Sequence, residues 1–426
     1  MRIRLGAYAP SPRFDRAGLY RRISADPRID FTAVFSSSAG VRPGEFGFGR
    51  PVSFDADAMS GYSSIFLRRA DRTEHGGSFT SLLDLDLAPE ILRRRFDVLW
   101  LHGYYSASHL IAATAQLVRG GRLLVREEQT LLNPRPTWKG ALKQPLLRVL
   151  FAGSSGLYQG TRNLEWFRHY GMPDERLFHV PLCVDNDSFR ADARRLAPLR
   201  SQVRADFGIS SEAGPVVLSV ARLAPEKQPL VLLEAFRRLR ADRRCTLLVV
   251  GSGPSETTMR EFVNRNRVPD VVFAGFLNQS EISRAYVASD AFVLASGDET
   301  WGLVVNEAMN FALPVVVSDK VGCAADLVLH GENGYVFPHD KPDELARYLA
   351  LLVDDPSRRD AFGRCSAQTI GPWNYDAAAD GLVAAVQAVA GPERWLEADS
   401  GTRRVDTSGE GRGGAARKLQ TTFLDE

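Results

Sequence analysis

Glu299 and Glu307 stand with seven residues between them in the stretch Asp298-Glu299-Thr300-Trp301-Gly302-Leu303-Val304-Val305-Asn306-Glu307. Carboxylates accept hydrogen bonds from hydroxyls, the groups that sugars offer. The apolar run Ala291-Phe292-Val293-Leu294-Ala295 just before them suits a buried strand. Asp298 and Thr300 are candidate helix caps, and Leu303 to Met309 continues with helical spacing. Glu299 is expected in the turn after that strand and Glu307 about two turns into the helix, and eight positions make about 2.2 helical turns, so both carboxylates are expected near one face. A helix start also offers free N–H groups and the positive dipole end to a phosphate. The pair alone is weak, because a helix-start acid and a solvated face residue give the same spacing.

The neighbouring strand ends add weight. In an open parallel sheet, ligands bind beyond the carboxyl ends of the strands. The predicted strand 215–220 is followed by Arg222 and Lys227, two cations on one loop that suit a diphosphate. The predicted strand 246–250 is followed by Gly251-Ser252-Gly253-Pro254, where a ligand can approach the backbone closely. The third glycine of G-x-G-x-x-G is missing, which argues against a nicotinamide cofactor. The predicted strand 291–294 leads to Glu299. Three successive strand ends thus offer cations, glycines and a carboxylate.

Strands and helices alternate along most of the chain, which predicts an α/β fold with parallel sheets. A length of 426 residues exceeds what one core usually supports. Two domains are expected, 1–195 and 212–375, with a boundary near 190–212. A helix over 376–390 is expected to pack back toward the first domain. Residues 391–426, poor in apolar side chains, are expected to be disordered. In the first domain a strand over 2–9 leads through Pro10-Ser11-Pro12 to a helix near 16–23, with Asp15 as its cap. Residues 37–80 read as a long irregular insertion, and 187–210 as helical. His102 follows the buried strand 96–101. Trp138, Leu142, Leu146, Val149 and Leu150 can form one apolar face, flanked by Lys139, Lys143 and Arg148 and interrupted by Pro145. Such a helix either packs on its own domain or lies on a membrane surface.

The composition, 44% apolar and 24% charged, is that of a globular protein. Residues 1–200 carry 29 Lys/Arg against 20 Asp/Glu, and residues 201–426 carry 24 against 31. A basic first half suits an anionic lipid surface or an acidic acceptor as well as an ordinary solvated surface. The four cysteines are far apart, without C-x-x-C, and read as buried small residues rather than metal ligands or disulfides. No signal peptide and no apolar run of spanning length is evident, so a cytoplasmic protein is expected, with peripheral contact at the inner face of the membrane as the lipid reading.

From about 215 to 375 the chain resembles the nucleotide-binding domain of family 4 (group 1) retaining glycosyltransferases, which have the GT-B fold of two Rossmann-like domains facing across a cleft. The stretches that carry the resemblance are Ser219 to Lys227, Val249 to Pro254, Phe273 to Phe276, Glu299 to Met309, Leu313 to Asp319 and Gly331 to Gly334. The segment Pro181 to Phe189 is similar to the family's interdomain connection. The resemblance implies a nucleotide-diphosphate sugar donor and a hydroxyl acceptor. It implies that Arg222 and Lys227 bind the diphosphate and that Glu307 accepts hydrogen bonds from the ribose. Glu299 would hold a donor-sugar hydroxyl, with the backbone at Gly302 and Leu303 close by. Gly251 and Gly253 would border the donor, and Phe276 and Leu277 would lie against the base. His102 would face the donor sugar from the other domain. The chain departs from the family after its first strand. Tyr8-Ala9-Pro10-Ser11-Pro12-Arg13-Phe14 stands where many members have a Gly-Gly loop. Gly18 is the glycine left for that role, and Arg13 or Arg16 the alternative phosphate contacts.

No D-x-D motif stands at a strand end, and Asp84-Leu85-Asp86 reads as a loop, so no metal and no cofactor are expected. A lipid-linked acceptor in envelope polysaccharide or glycolipid synthesis fits the basic first half. No nucleic-acid partner is expected. The alternatives are a GT-B nucleotide-sugar epimerase and a non-catalytic nucleotide-sugar-binding homologue.

Overall fold

Runs of apolar, largely β-branched residues build two parallel sheets in this computed structural model. It describes residues 2–44, 51–68, 70, 79–80, 83–133, 137–405 and 421–423, with the backbone alone for 137–143, 394, 400–405 and 421–423. The first sheet holds β1 (Ile3–Ala9), β2 (Ile29–Phe35), β3 (Ser63–Phe66), β4 (Val98–His102), β5 (Arg122–Arg126), β6 (Ser155–Tyr158) and β7 (Leu177–His179). Their order is β3-β2-β1-β4-β5-β6-β7. The second sheet holds β8 (Val216–Val220), β9 (Thr246–Val250), β10 (Val271–Gly275), β11 (Ala291–Leu294), β12 (Val315–Ser318) and β13 (Gly334–Phe337), in the order β10-β9-β8-β11-β12-β13. Helices cover both faces, so central strands such as β4 and β9 are buried at every position. A short strand β14 (Thr421–Phe423) pairs in parallel with β3.

The two domains are tied by a returning helix. Tyr375–Ala390 places Ala378, Leu382, Ala385 and Val386 in the same core as Leu5 and Trp100 of the first sheet. Gly18 makes room for this return, because a Cβ there would meet the Tyr375 ring at 2.3 Å. Gly18 therefore serves helix packing and does not form a phosphate loop.

Several expectations are corrected. The helix after β1 runs Phe14–Ala25 with Arg13 at its N-cap, and Asp15 lies in its first turn, ion-paired to Arg13 at 2.9 Å. Within 37–80, β3 is a regular strand whose Ile65 and Phe66 are buried. A helix also spans Leu87–Arg94. The helical span 187–210 is two helices, Asn186–Leu196 and Arg200–Asp206, separated where Pro198 cannot continue the backbone ladder. The tail is helical over Pro392–Val405, where Trp395 and Ala398 bury against the first core. The rest of the expected disordered tail, apart from β14, lies outside the described residues. The helix Thr137–Ala152 buries Leu147, Leu150 and Phe151 and leaves Leu146 and Val149 exposed. Leu150 thus leaves the apolar face predicted for it, and Trp138 and Leu142 lie outside the described side chains.

Candidate active site

β8 and β11 are neighbours in the second sheet, so the turns after them lie side by side. The N–H of Gly297 donates to the carbonyl of Glu226 at 2.8 Å and locks the two turns together. This brings Lys227 and Glu299 together across 72 residues, with Nζ 2.5 Å from Oε2 and both side chains less than a fifth exposed. Arg222 pairs with Glu226 on the same turn.

Glu299 is not part of the following helix. That helix runs Leu303–Asn310 and is preceded by Gly302 at φ 101°, with no side-chain cap. Asp298 and Thr300 are therefore not its caps. A left-handed residue reverses the chain between Glu299 and the helix, and glycine adopts that conformation without a Cβ clash. The Val305 N–H donates to the Gly302 carbonyl at 2.8 Å, and the N–H groups of Leu303 and Val304 at the uncapped start are left for a ligand. Leu303, Val304 and Glu307 line a cavity of about 720 Å³, which also touches Arg13, Arg16 and Tyr105 of the first domain. Glu307 is buried and accepts a hydrogen bond from the Tyr286 hydroxyl at 2.6 Å. Burial pushes its carboxyl up to about 7, against the pull of Tyr286.

The helix is anchored from behind. Asn306 accepts from the Trp301 indole at 3.0 Å and donates to the carbonyl of Leu182. Asn310 donates to Asn186 at 2.8 Å, and Asn186 donates to the carbonyls of Ile370 and Trp373. These links tie the helix Leu303–Asn310 to the interdomain segment. Bonds also cross the cleft from Asn133 to the Gly297 carbonyl, from Lys320 to the Leu132 carbonyl and from Asn278 to the Ser53 carbonyl.

The remaining expected residues divide. Gly251 has φ 133°, and a Cβ there would meet the Ala221 carbonyl oxygen at 1.9 Å. A Cβ on Gly253 would meet Leu223 backbone in the same way. Both glycines thus admit the loop after β8 at close range. Phe276 faces Phe54 of the first domain at 6.1 Å, and Leu277 packs on the second core. His102 is buried, shares a hydrogen bond between Nε2 and the Tyr20 hydroxyl at 2.7 Å, and leaves Nδ1 unpartnered. Burial, with Arg16 and Arg126 nearby, holds it well below its ordinary range, so it is neutral. Arg13 pairs with Asp15, and Arg16 lies 3.7 Å from Glu128. Sequence reasoning missed Tyr286, Trp301, Asn306 and Asn310. Asn306 and Asn310 stand four apart in a helix whose other residues, Glu307 excepted, are apolar, a spacing that marks one polar face. Asp84 and Asp86 precede the helix Leu87–Arg94. Among the described residues no group of three or more His, Cys, Asp or Glu side chains is placed to hold a metal.

Comparison with known proteins meets this geometry at the second domain. Residues 204–369 match the family described as glycosyl transferases group 1. The chain is 33% identical over 226 residues to D-inositol 3-phosphate glycosyltransferase 2 of Catenulispora acidiphila, covering 50% of this chain and 51% of that protein. It is 30% identical over 216 residues to the GDP-mannose-dependent alpha-(1-6)-phosphatidylinositol monomannoside mannosyltransferase of Mycobacterium tuberculosis, covering 48% and 54%. The aligned region spans about half the length of these relatives. The whole structure is similar to that of Anabaena Alr3699/HepE in complex with UDP and glucose, with TM-score 0.66, 16% identity and coverage of 90% and 99%. The fold is GT-B.

Proposed function

We propose that this protein transfers a sugar from a nucleoside diphosphate to a hydroxyl acceptor with retained anomeric configuration and without a metal ion. The observation that carries the reading is the half-buried Lys227–Glu299 pair beside an uncapped helix start that opens on the interdomain cavity. Lys227, Arg222 and the N–H groups of the helix start hold the diphosphate. They stabilise the charge that develops as the bond between the anomeric carbon and the phosphate oxygen breaks. Glu299 orients a hydroxyl of the donor sugar, and Glu307 accepts hydrogen bonds from the ribose. The acceptor oxygen bonds to the same face of the anomeric carbon, and its proton passes to the departing phosphate oxygen. No enzyme nucleophile is required.

The similarity of one half of the chain to transferases named for inositol phosphate and phosphatidylinositol mannoside supports this reading. The reading extends to a lipid-linked acceptor and peripheral membrane contact. The exposed Leu146 and Val149 beside Arg148 support that extension.

The deciding experiment is thermal denaturation with UDP, GDP, ADP and TDP, with and without EDTA, on the wild type and Lys227→Ala. One diphosphate is expected to stabilise the wild type, to do so equally with EDTA, and to lose its effect in the variant. A wild type indifferent to all four would overturn the donor assignment, and a response abolished by EDTA would overturn metal independence.

A further inference from the structure

Three neighbouring strands of the first sheet end in buried polar side chains. His102 ends β4, Arg126 ends β5, and Gln159 follows β6. β4 and β5 pair His102 with Arg126 in register, and β6 lies next in order. All three side chains are buried, with exposures of 4%, 5% and 0%. Each keeps atoms without a hydrogen-bond partner: Nδ1 of His102, Nη1 of Arg126, and both Oε1 and Nε2 of Gln159. Buried polar atoms are ordinarily paired, and a buried guanidinium is the costliest to leave incompletely satisfied. Packing of the fold does not explain the three together.

Their position does. Arg16, Asp15 and Cys183 interact electrostatically with Arg126, and the same three residues line the interdomain cavity. Geometry ties Arg126 to the same corner of the cleft: its in-register partner His102 bonds the Tyr20 hydroxyl, and Arg16, one helical turn before Tyr20, lines the cavity. Glu128 lies 3.7 Å from Arg16 and favours the charge of Arg126. It holds by carboxylate chemistry the place that a ligand anion would take.

We propose that Arg126 and Arg16 form an anion-binding subsite on the first domain's side of the cleft, and that the acceptor is a phosphate-bearing molecule. The proposal rests on the transferase reading for the word acceptor, but the subsite itself does not. Two guanidinium groups suit a phosphate, since each presents a planar fork of donors to its oxygens. The free Nδ1 of His102 and the amide of Gln159 then meet hydroxyls of the same molecule. A free sugar phosphate and the headgroup of an anionic lipid share this chemistry.

The test measures binding to the full chain, with and without the nucleoside diphosphate that stabilises it. The probes are glucose 6-phosphate against glucose, glycerol 3-phosphate against glycerol, glucuronate, and vesicles of phosphatidylglycerol against phosphatidylcholine. The phosphorylated probe of a pair is expected to bind about tenfold or more tightly than its partner. Arg126→Gln is expected to erase that preference, keep the nucleotide response, and melt at or above the wild-type temperature, because it removes an incompletely satisfied buried charge. Glu128→Gln is expected to strengthen phosphate binding. A soluble sugar phosphate and phosphatidylglycerol vesicles distinguish the two sources by which of them shows the effect. The proposal is overturned by a preference that survives both Arg126→Gln and Arg16→Gln, by a wild type with no preference, by tighter binding of glucuronate, or by a large fall in the melting temperature of Arg126→Gln. A wild type that prefers phosphate but ignores every nucleotide would remove the transferase reading and leave the subsite standing.

Discussion

The two sheets of this protein end on different terms at the same cleft. On the second domain's side Lys227 pairs with Glu299, Arg222 pairs with Glu226 and Glu307 accepts from the Tyr286 hydroxyl, and the buried atoms left unpartnered there, on Ser252, Ser296 and Asn310, belong to neutral groups. On the first domain's side, His102, Arg126 and Gln159 keep atoms unpaired in buried positions. Both sets follow parallel strands, so topology does not make the difference. A pre-paired site holds its groups in geometry before a ligand arrives, at little cost to stability. An unpaired buried set carries its desolvation penalty until a ligand relieves it. The first design suits a group common to many substrates, such as a diphosphate. The second suits a group that distinguishes one substrate from others, because an analogue lacking it leaves the penalty in place.

The contrast breaks first at Lys227. Lys227→Ala removes the cation from the diphosphate and leaves Glu299 with an unmatched charge. Steady-state kinetics with a donor sugar should give kcat/KM lower by about 10²–10³-fold, the scale for one transition-state charge contact. A drop of about threefold or less would move the diphosphate away from this turn.

Glu307 gives the next largest effect, and its sign can be worked out. Its carboxyl is raised from 4.5 to about 7 in the folded chain. Its contribution to stability is therefore fully present below pH 4.5 and lost as pH rises through about 7. The order of the change is about 3 kcal/mol at most. Binding runs the other way, since a carboxylate accepts from ribose hydroxyls better than a carboxylic acid does. Nucleotide affinity should rise about three- to tenfold between pH 6 and 8 while the unliganded melting temperature loses this contribution. Glu307→Gln should flatten both trends, and a variant whose affinity keeps the wild-type slope would take the ribose away from this residue.

The anchoring side chains come third. Asn310→Ala would leave the buried Asn186 without its donor and loosen the donor-side helix from the interdomain segment. A loss of about 1–3 kcal/mol in denaturant unfolding is expected, with a smaller change in nucleotide binding. An unchanged midpoint would show that the helix is held by packing alone.

How much of this was legible follows from the same contrast. The strand ends of the second domain could be read because cations, glycines and a carboxylate recur at known offsets from apolar runs. What each does was less legible. Gly251 and Gly253 also make room for the backbone of the loop after β8, a contact that spacing along the chain does not reveal. Lys227 and Glu299 were both singled out, but their pairing depends on β8 and β11 being neighbours, which is tertiary information. Arg126 was invisible. An arginine at the end of an apolar strand reads as a solvated residue, and only the fold puts it inside. The helix Pro392–Val405 was missed because only Trp395 and Ala398 among its few apolar residues bury, and the core they join is built largely by strands of the first domain, distant in sequence.

The smallest expected effect separates what the basic first domain does at its surface from what it does in the cleft. Val149 is 74% exposed on the helix Thr137–Ala152, so Val149→Glu removes no core contact. Unfolding stability should change by no more than about 0.5 kcal/mol, and nucleotide binding should not change. If this helix meets a lipid surface, an added carboxylate beside Arg148 loses buried apolar area and repels anionic headgroups at once. Sedimentation with anionic vesicles at low salt should then fall about fivefold or more for an interaction of this kind. Unchanged sedimentation, together with loss of vesicle binding in Arg126→Gln, would assign the membrane contact to the cleft rather than to this helix. The two domains would then differ in which strand ends hold charge unpaired, and not in which surface meets lipid.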